Sequence, residues 1–291
     1  MKKFKILIPV YNDWESLIKL LDEINKVIMD IKNAEFDCMV VNDASTINPP
    51  DIKVPPKIKK IEMFNMKQNR GHARCNAFAI RHLSKQDDFD HLIVMDGDGE
   101  DRPVEIRSLV DRALSNDQIS VVAKRIKRSE GLIFQTLYRM HKLITYISTG
   151  KNINFGNYSC LTREDVKFLS SKKSLWSSFS GSIKKHIVQL NTVDSIRGLR
   201  YFGPSQMSLF NLGIHSLSII AVFKFAVFLR SLIFLILIYY FKEDLGTSFS
   251  SIASILIIMF NLLIYLISLR ENKEDFLNST ENVANIKNYA H

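Results

Sequence analysis

Four carboxylates and two glycines occupy six consecutive positions, Asp96-Gly97-Asp98-Gly99-Glu100-Asp101, in a chain whose formal net charge is +9. Carboxylates this close repel one another unless a cation offsets them. Hard oxygen donors at alternate positions suit Mg²⁺ or Mn²⁺, which would in turn hold a diphosphate. A solvated acidic turn has the same composition, so the run gains meaning only from its surroundings. An EF-hand calcium loop fits poorly, because Asp101 stands where that loop needs its turn glycine. The second chemical feature is basic. Lys124, Arg125, Lys127, Arg128, Arg139 and Lys142 crowd one segment, either to neutralise phosphates or to coat a solvated helix face.

The elements that must position these groups follow from periodicity. Residues 4–10 form a near-continuous apolar run, the mark of a strand covered on both faces. Trp14, Leu17, Ile18, Leu21, Ile24, Ile28 and Ile31 then recur at helical spacing. Further strands are predicted over 36–41, 58–63, 91–95 and 119–123, and helices over 71–83 and 104–114. Residues 45–56, rich in proline and polar side chains, read as loop. Strand and helix alternate with short links, which predicts an α/β fold with a mostly parallel sheet flanked by helices. Ligands bind beyond the carboxyl ends of such strands. Tyr11-Asn12-Asp13, Asn42-Asp43 and the acidic run all fall there. No Gly-x-Gly-x-x-Gly follows the first strand, which argues against a dinucleotide-binding dehydrogenase.

The last quarter of the chain is different. Residues 245–269 carry no charge and are long enough to cross a bilayer. Residues 225–241 are interrupted only by Arg230, which lies near the start of its segment and could snorkel to the headgroups. With Lys242-Glu243-Asp244 between them, the two read as a transmembrane hairpin, 225–241 and 246–269. Lys224, Arg230, Arg270 and Lys273 at the outer ends place the N-terminal domain and a tail, 270–291, in the cytoplasm, as expected of a multi-pass protein of the cell (inner or plasma) membrane. Ahead of the hairpin, 205–224 reads as an amphipathic juxtamembrane helix. Met207, Phe210, Ile214, Leu217 and Ala221 form one stripe and Ser208, Asn211, His215 and Ser218 a narrower polar one; a core helix is the alternative. Lys and Arg balance Asp and Glu after Phe223, so the whole charge surplus precedes it. Beside a membrane anchor this favours anionic lipid and phosphate ligands over nucleic acid. Cys38, Cys75 and Cys160 are scattered, which argues against a disulfide framework or a zinc site.

Five segments occur in one order: Ile8-Pro9-Val10-Tyr11-Asn12, Val40-Val41-Asn42-Asp43-Ala44-Ser45, Asn69-Arg70-Gly71, Met95-Asp96-Gly97-Asp98-Gly99-Glu100, and Arg200-Tyr201-Phe202-Gly203-Pro204-Ser205. With the hairpin behind them, they resemble the family 2 glycosyltransferases of the GT-A fold. The branch they resemble is that of the polyprenyl-phosphate glycosyltransferases related to dolichol-phosphate mannose synthase. The resemblance implies a cytoplasmic catalytic domain over 1–204 that moves a sugar from a nucleotide-sugar donor to a polyprenyl (undecaprenyl or dolichyl) phosphate in the membrane, for cell-envelope glycan or glycoconjugate synthesis. It implies that Pro9, Tyr11 and Asp13 line the nucleotide pocket, that Asp43 accepts hydrogen bonds from the base, and that Asp96 lies near the ribose and diphosphate. Asp98 and Glu100 would ligate Mg²⁺ or Mn²⁺, with Asp98, Arg125 and Arg139 as the catalytic set. Arg128, Arg200 and Ser205 would contact the acceptor phosphate. A homo-oligomer is compatible with the resemblance; a nucleic-acid partner is not implied.

The departures are as specific. The usual Asp-Asp pair after the second strand is Asn42-Asp43, Gly-Asp-Phe becomes Gly156-Asn157-Tyr158, and Gln206 replaces a lysine. A hydroxyl acceptor needs a general base, which Asn157 cannot supply, whereas a phosphate acceptor is already an anion. Two alternatives stay open: a family 2 transferase acting on a glycan hydroxyl, and a catalytically impaired membrane-anchored nucleotide-sugar-binding protein.

Overall fold

The computed structural model describes residues 1–128, 132–204 and 208–291. Its strands are β1 (Lys2–Val10), β2 (Ala34–Asn42), β3 (Ile58–Met66), β4 (His91–Val94), β5 (Val121–Arg128), β6 (Phe155–Thr162), β7 (Asn191–Arg197) and β8 (Val283–Ala290). They form one sheet in the order β7-β5-β6-β4-β1-β2-β3-β8. β1 pairs in parallel with β2 and β4, β2 with β3, and β5 with β7; β6 runs antiparallel to β4 and β5, and β8 to β3. Six strands therefore end at one edge of the sheet, and β6 and β8 begin there.

Both faces are covered, which is why β1 is apolar at almost every position. Ile6 and Ile8 enter the core beneath α1 (Trp14–Ile28) and α3 (Ile106–Ser115), while Leu7 enters the opposite core beneath α2 (His72–Leu83), α5 (Arg163–Leu169) and α6 (Phe179–His186). Lys5 breaks the run yet is buried, with its ammonium on Gln86 and Asp88.

The strand expected to stop at Ala123 runs on to Arg128, because β7 lies alongside it to the pair Arg128↔Arg197. The apolar pattern fades there because this half of β5 reaches the polar edge of the sheet. Regular structure continues through α4 (Leu132–Thr149), β6, α5, α6 and β7, beyond the last predicted strand.

The helix expected over 205–224 is α7 (Leu209–Ala221), capped by the Ser208 hydroxyl, which accepts from the Asn211 amide. It is followed by α8 (Lys224–Tyr240), α9 (Lys242–Leu245) and α10 (Thr247–Ser268). Among the described residues one helix, Thr247–Leu277, is long and apolar enough to cross a membrane; Phe210–Ala221 and Lys224–Tyr240 meet that test only together, bent by 83°. Lys185 donates to the Val222 carbonyl at the bend. Arg230 reaches the end of α4, where its Nη1 donates to the Ile147 carbonyl and neutralises a helix C-terminus.

The 270–291 tail is not a free appendage. Its α11 (Lys273–Leu277) buries Phe276 against Trp176, and β8 adds to the open edge of β3. Side-chain amides continue the ladder: Asn42 donates to Asn65, and Asn65 to Asn285.

Candidate active site

The acidic run is the turn that leaves β4. Gly97 is required because a Cβ there would stand 2.9 Å from the Pro9 carbonyl at the end of β1. Gly99 has φ +88°, and a Cβ on it would enter the Tyr201 ring. Within the turn the Asp96 amide donates to Asp101 and the Glu100 amide to Asp98, each at 3.0 Å. Asp101 is therefore a structural acid at the base of the loop, and it was missing from the expected site. Burial, with the neighbouring Asp96 charge, pushes its carboxyl up to about 7. Burial and Asp96 likewise raise Asp98.

A second segment is laid across this turn. After β7, Gly198 donates its amide to the Glu100 carbonyl and Tyr201 to that of Asp98, while buried Glu105 accepts from Ser195 and the Ile196 amide to hold the approach. The result is a layer of arginine on carboxylate. Arg200 Nη1 lies 2.9 Å from Asp98 Oδ2, the same guanidinium pairs with Asp13, and Arg197 pairs with Glu100. Among the described residues no group of three or more His, Cys, Asp or Glu side chains is arranged to hold a metal ion. The donors still fit one chemically: Asp98 and Glu100 offer hard oxygens, and each already has an arginine cation on it.

The third component lies under the turn. His72, first residue of α2, places Nε2 3.1 Å from Asp96 Oδ1. Asn157 of β6 donates to the same oxygen at 3.0 Å and lies 2.9 Å from His72 Nε2. Burial alone would push the His72 imidazole down; the Asp96 carboxylate outweighs it and leaves the ring above its ordinary value. Asp96 is in turn held well below the usual carboxylate range despite its burial. Arg125 packs on Gly156, where a Cβ would run into its guanidinium, and lies 3.9 Å from Asp101. His215 of α7 is within electrostatic reach of His72, Asp96, Arg125 and His141.

The remaining expected residues divide. Pro9, Tyr11, Asp13 and Asp43 do gather at the ends of β1 and β2. Asp43 is buried and accepts from the Arg70 and Gly71 amides at 2.9 and 2.8 Å, so it also builds the turn into α2. Asn42 accepts from the Ser45 amide while donating to Asn65, a double role that an aspartate lacks. Arg139 is exposed on α4, with no hydrogen bond or ion pair to the acidic turn among the described residues. Arg128 ends β5, but its side chain lies outside what is described, as do Ser205 and Gln206. His72 and His215 were not expected. The only signal for His72 was its place directly after Asn69-Arg70-Gly71, and for His215 its place on a polar stripe.

Comparison with known proteins identifies the family and the fold. Residues 5–179 match the family model described as Glycosyl transferase family 2. The chain is similar to undecaprenyl-phosphate 4-deoxy-4-formamido-L-arabinose transferases. That of Yersinia pestis (strain Pestoides F) is 29% identical over 164 residues, and that of Proteus mirabilis (strain HI4320) 27%. Each match covers 56% of this chain and 48% of the relative, so the chain spans about half the length of the curated relatives it matches. Among solved structures, glucosyl-3-phosphoglycerate synthase from Mycobacterium tuberculosis, in complex with Mn²⁺, UDP-glucose and phosphoglyceric acid, superposes with a TM-score of 0.52 at 15% identity, covering 78% of this chain and 80% of that one. The fold is GT-A, and the chain belongs to glycosyl transferase family 2.

Proposed function

We propose that this family 2 glycosyltransferase is a membrane-anchored, inverting enzyme that moves a sugar from a nucleotide-sugar donor to a polyprenyl phosphate. The observation that carries the reading is Asn157. It stands beside Asp96, where the family pattern has a carboxylate that could serve a hydroxyl acceptor as base, and it offers an amide. A lipid phosphate needs no such base. The relatives whose names specify undecaprenyl phosphate support the same acceptor class.

The donor end fits a nucleotide diphosphate at the edge formed by β1, β2 and β4. Pro9, Tyr11, Asp13 and Asp43 would wall the nucleotide, with Asp96 near its ribose. Asp98 and Glu100 would hold Mg²⁺ or Mn²⁺, which supplies charge neutralisation for the diphosphate when bound. The solved relative that contains Mn²⁺ and UDP-glucose supports that choice of ion. Arg200, released from Asp98, and Arg125 would screen the repulsion between the two anionic partners. An acceptor phosphate oxygen then attacks the anomeric carbon, the bond to the nucleotide diphosphate breaks, and configuration inverts. The protein contributes positioning and charge stabilisation.

Membrane attachment is supported by three features. On α8 only Val227 and Ser231 are buried, and the apolar residues of α10 are mostly exposed, an arrangement suited to lipid. On α4 the outward residues Met140, Leu143, Ile144, Tyr146 and Ile147 are apolar while Thr145, Ser148 and Thr149 are buried, the reverse of a soluble helix. Because β8 joins the catalytic sheet, residues 283–290 lie on the catalytic side, so the chain between must cross an even number of times. Two crossings, by 225–241 and 246–269, satisfy this, with 1–204 and the tail in the cytoplasm.

The test is incubation of membranes containing the protein with labelled nucleotide sugars and either polyprenyl phosphate or polyprenol. The reading requires label in the lipid fraction with the phosphate alone. Label passing to polyprenol or to a glycan would replace it with the hydroxyl-acceptor reading.

A further inference from the structure

Resting on the lipid-phosphate reading, we propose that His72 is a ligand of the acceptor phosphate, and that His72 and Asn157 together set the acceptor end of the site to hold an anion. The hydrogen-bond and ion-pair contacts of the imidazole within the described residues fall on Nε2: Asp96 Oδ1 at 3.1 Å, Asn157 Nδ2 at 2.9 Å and Asn76 Nδ2 at 3.2 Å. Nδ1 has no hydrogen-bond partner among them, and the side chain remains 33% exposed. Asp96 therefore fixes the ring through one nitrogen and leaves the other for a ligand, the logic by which a carboxylate orients a histidine.

Charge decides what that ligand is. The groups facing the ring are Asp96, Asp98 and Asp101 from the acidic turn, and His215 from α7, which also feels Arg125 of β5 and His141 of α4. Asp96 is already engaged by two donors, His72 and Asn157. Asp98 has Arg200 on it, and Asp101 has the Asp96 amide. A carboxylate at position 157 would remove one donor from Asp96 and set a further negative charge beside it, repelling a phosphate at that point. An asparagine removes the repulsion and adds a hydrogen bond. The imidazolium, stabilised by Asp96, would then offer Nδ1–H in a charge-assisted bond to a phosphate oxygen. His72 opens α2, whose first backbone amides also favour an anion. His215 of α7 lies within electrostatic reach of the ring, and His141 of α4 within reach of His215.

The experiment uses the full chain in nanodiscs, with undecaprenyl phosphate as acceptor and the wild type as gate. Variants are His72→Gln, which keeps a donor without the charge, His72→Phe and Asn157→Asp, each first compared with the wild type by thermal melting. Acceptor and donor KM and kcat are measured from pH 6.5 to 9. The expected result is an acceptor KM raised about tenfold in His72→Gln and more in His72→Phe, with donor KM within twofold. The wild-type acceptor KM should climb as pH rises past the imidazole's titration, and this climb should be absent in His72→Gln. Asn157→Asp should raise acceptor KM most at high pH. Acceptor KM within twofold of wild type in all three folded variants, with the pH profile unchanged, would overturn the proposal. Wild type that transfers to a hydroxyl but never to undecaprenyl phosphate would instead remove the reading beneath it, and the proposal with it.

Discussion

Arg200 and Asp98 form an ion pair, Nη1 to Oδ2 at 2.9 Å, between a segment that follows β7 and the tip of the acidic turn after β4. The same guanidinium pairs with Asp13 at the end of β1. One cation thus ties three separate parts of the chain together, at the place where a divalent ion and a diphosphate would sit.

Competition follows from that geometry. Arg200→Ala frees Asp98, so Mn²⁺ should bind the nucleotide-free protein more tightly, by on the order of tenfold for one charge-assisted bond of roughly 1.5 kcal/mol. Electron paramagnetic resonance titration of free Mn²⁺ measures this directly. Unchanged affinity would mean that the arginine and the ion do not share the carboxylate.

Gly97 can be tested by stability alone. Its Cβ position lies 2.9 Å from a backbone oxygen, Pro9 O, which cannot rotate away. Gly97→Ala should cost about 1–3 kcal/mol in urea unfolding, as overpacking does, and should lower donor binding because β1 and the turn must part. A neutral substitution would show that the turn is looser than its packing suggests.

The pH dependence of stability has a definite sign. Asp101 titrates near 7 in the folded chain and near 3.9 unfolded. The folded state therefore holds the proton more strongly, and stability falls as pH rises from about 4 through 7. His72, also raised, contributes in the same direction above about pH 6.5. The readout is thus the difference between wild type and Asp101→Asn in metal-free buffer. The variant should lose less stability than wild type between pH 5 and 7.5, by about 2–3 kcal/mol. Equal slopes would contradict the assignment.

The asparagine ladder predicts where a distant substitution is felt. Asn65→Ala strips the partner from Asn42 and from Asn285. It should cost about 1–3 kcal/mol for the buried amide left unpaired and should raise amide hydrogen exchange in β8 before β2. Exchange confined to the neighbourhood of β2 would mean that the tail is held by its backbone ladder alone.

The sequence disclosed what is local. β1, α1 and the acidic turn were legible because apolar periodicity and glycine placement are read within a few residues. GT-A architecture was legible because its segments come in order. What stayed hidden depends on partners far apart in the chain. Asn42 looked like a lost acid until Asn65 was seen to lie between it and Asn285, 220 positions beyond Asn65. β8 carries only weak alternation, since an edge strand is mostly exposed and its ladder bonds are backbone bonds. His72 is one polar residue at a helix start, and only the fold brings Asp96 and Asn157 to its Nε2. Arg230 meets the end of α4, and nothing in its own segment points there.

The most direct test of the central claim is mass spectrometry of the lipid product made by the purified protein in nanodiscs. These would contain undecaprenyl phosphate or undecaprenol, with Mn²⁺ and a nucleotide sugar, beside Asp98→Ala. The account predicts a glycosyl phosphodiester of undecaprenol, formed from the phosphate alone and lost in the variant. A glycoside of undecaprenol, or transfer that persists without the Asp98 carboxylate, would contradict it.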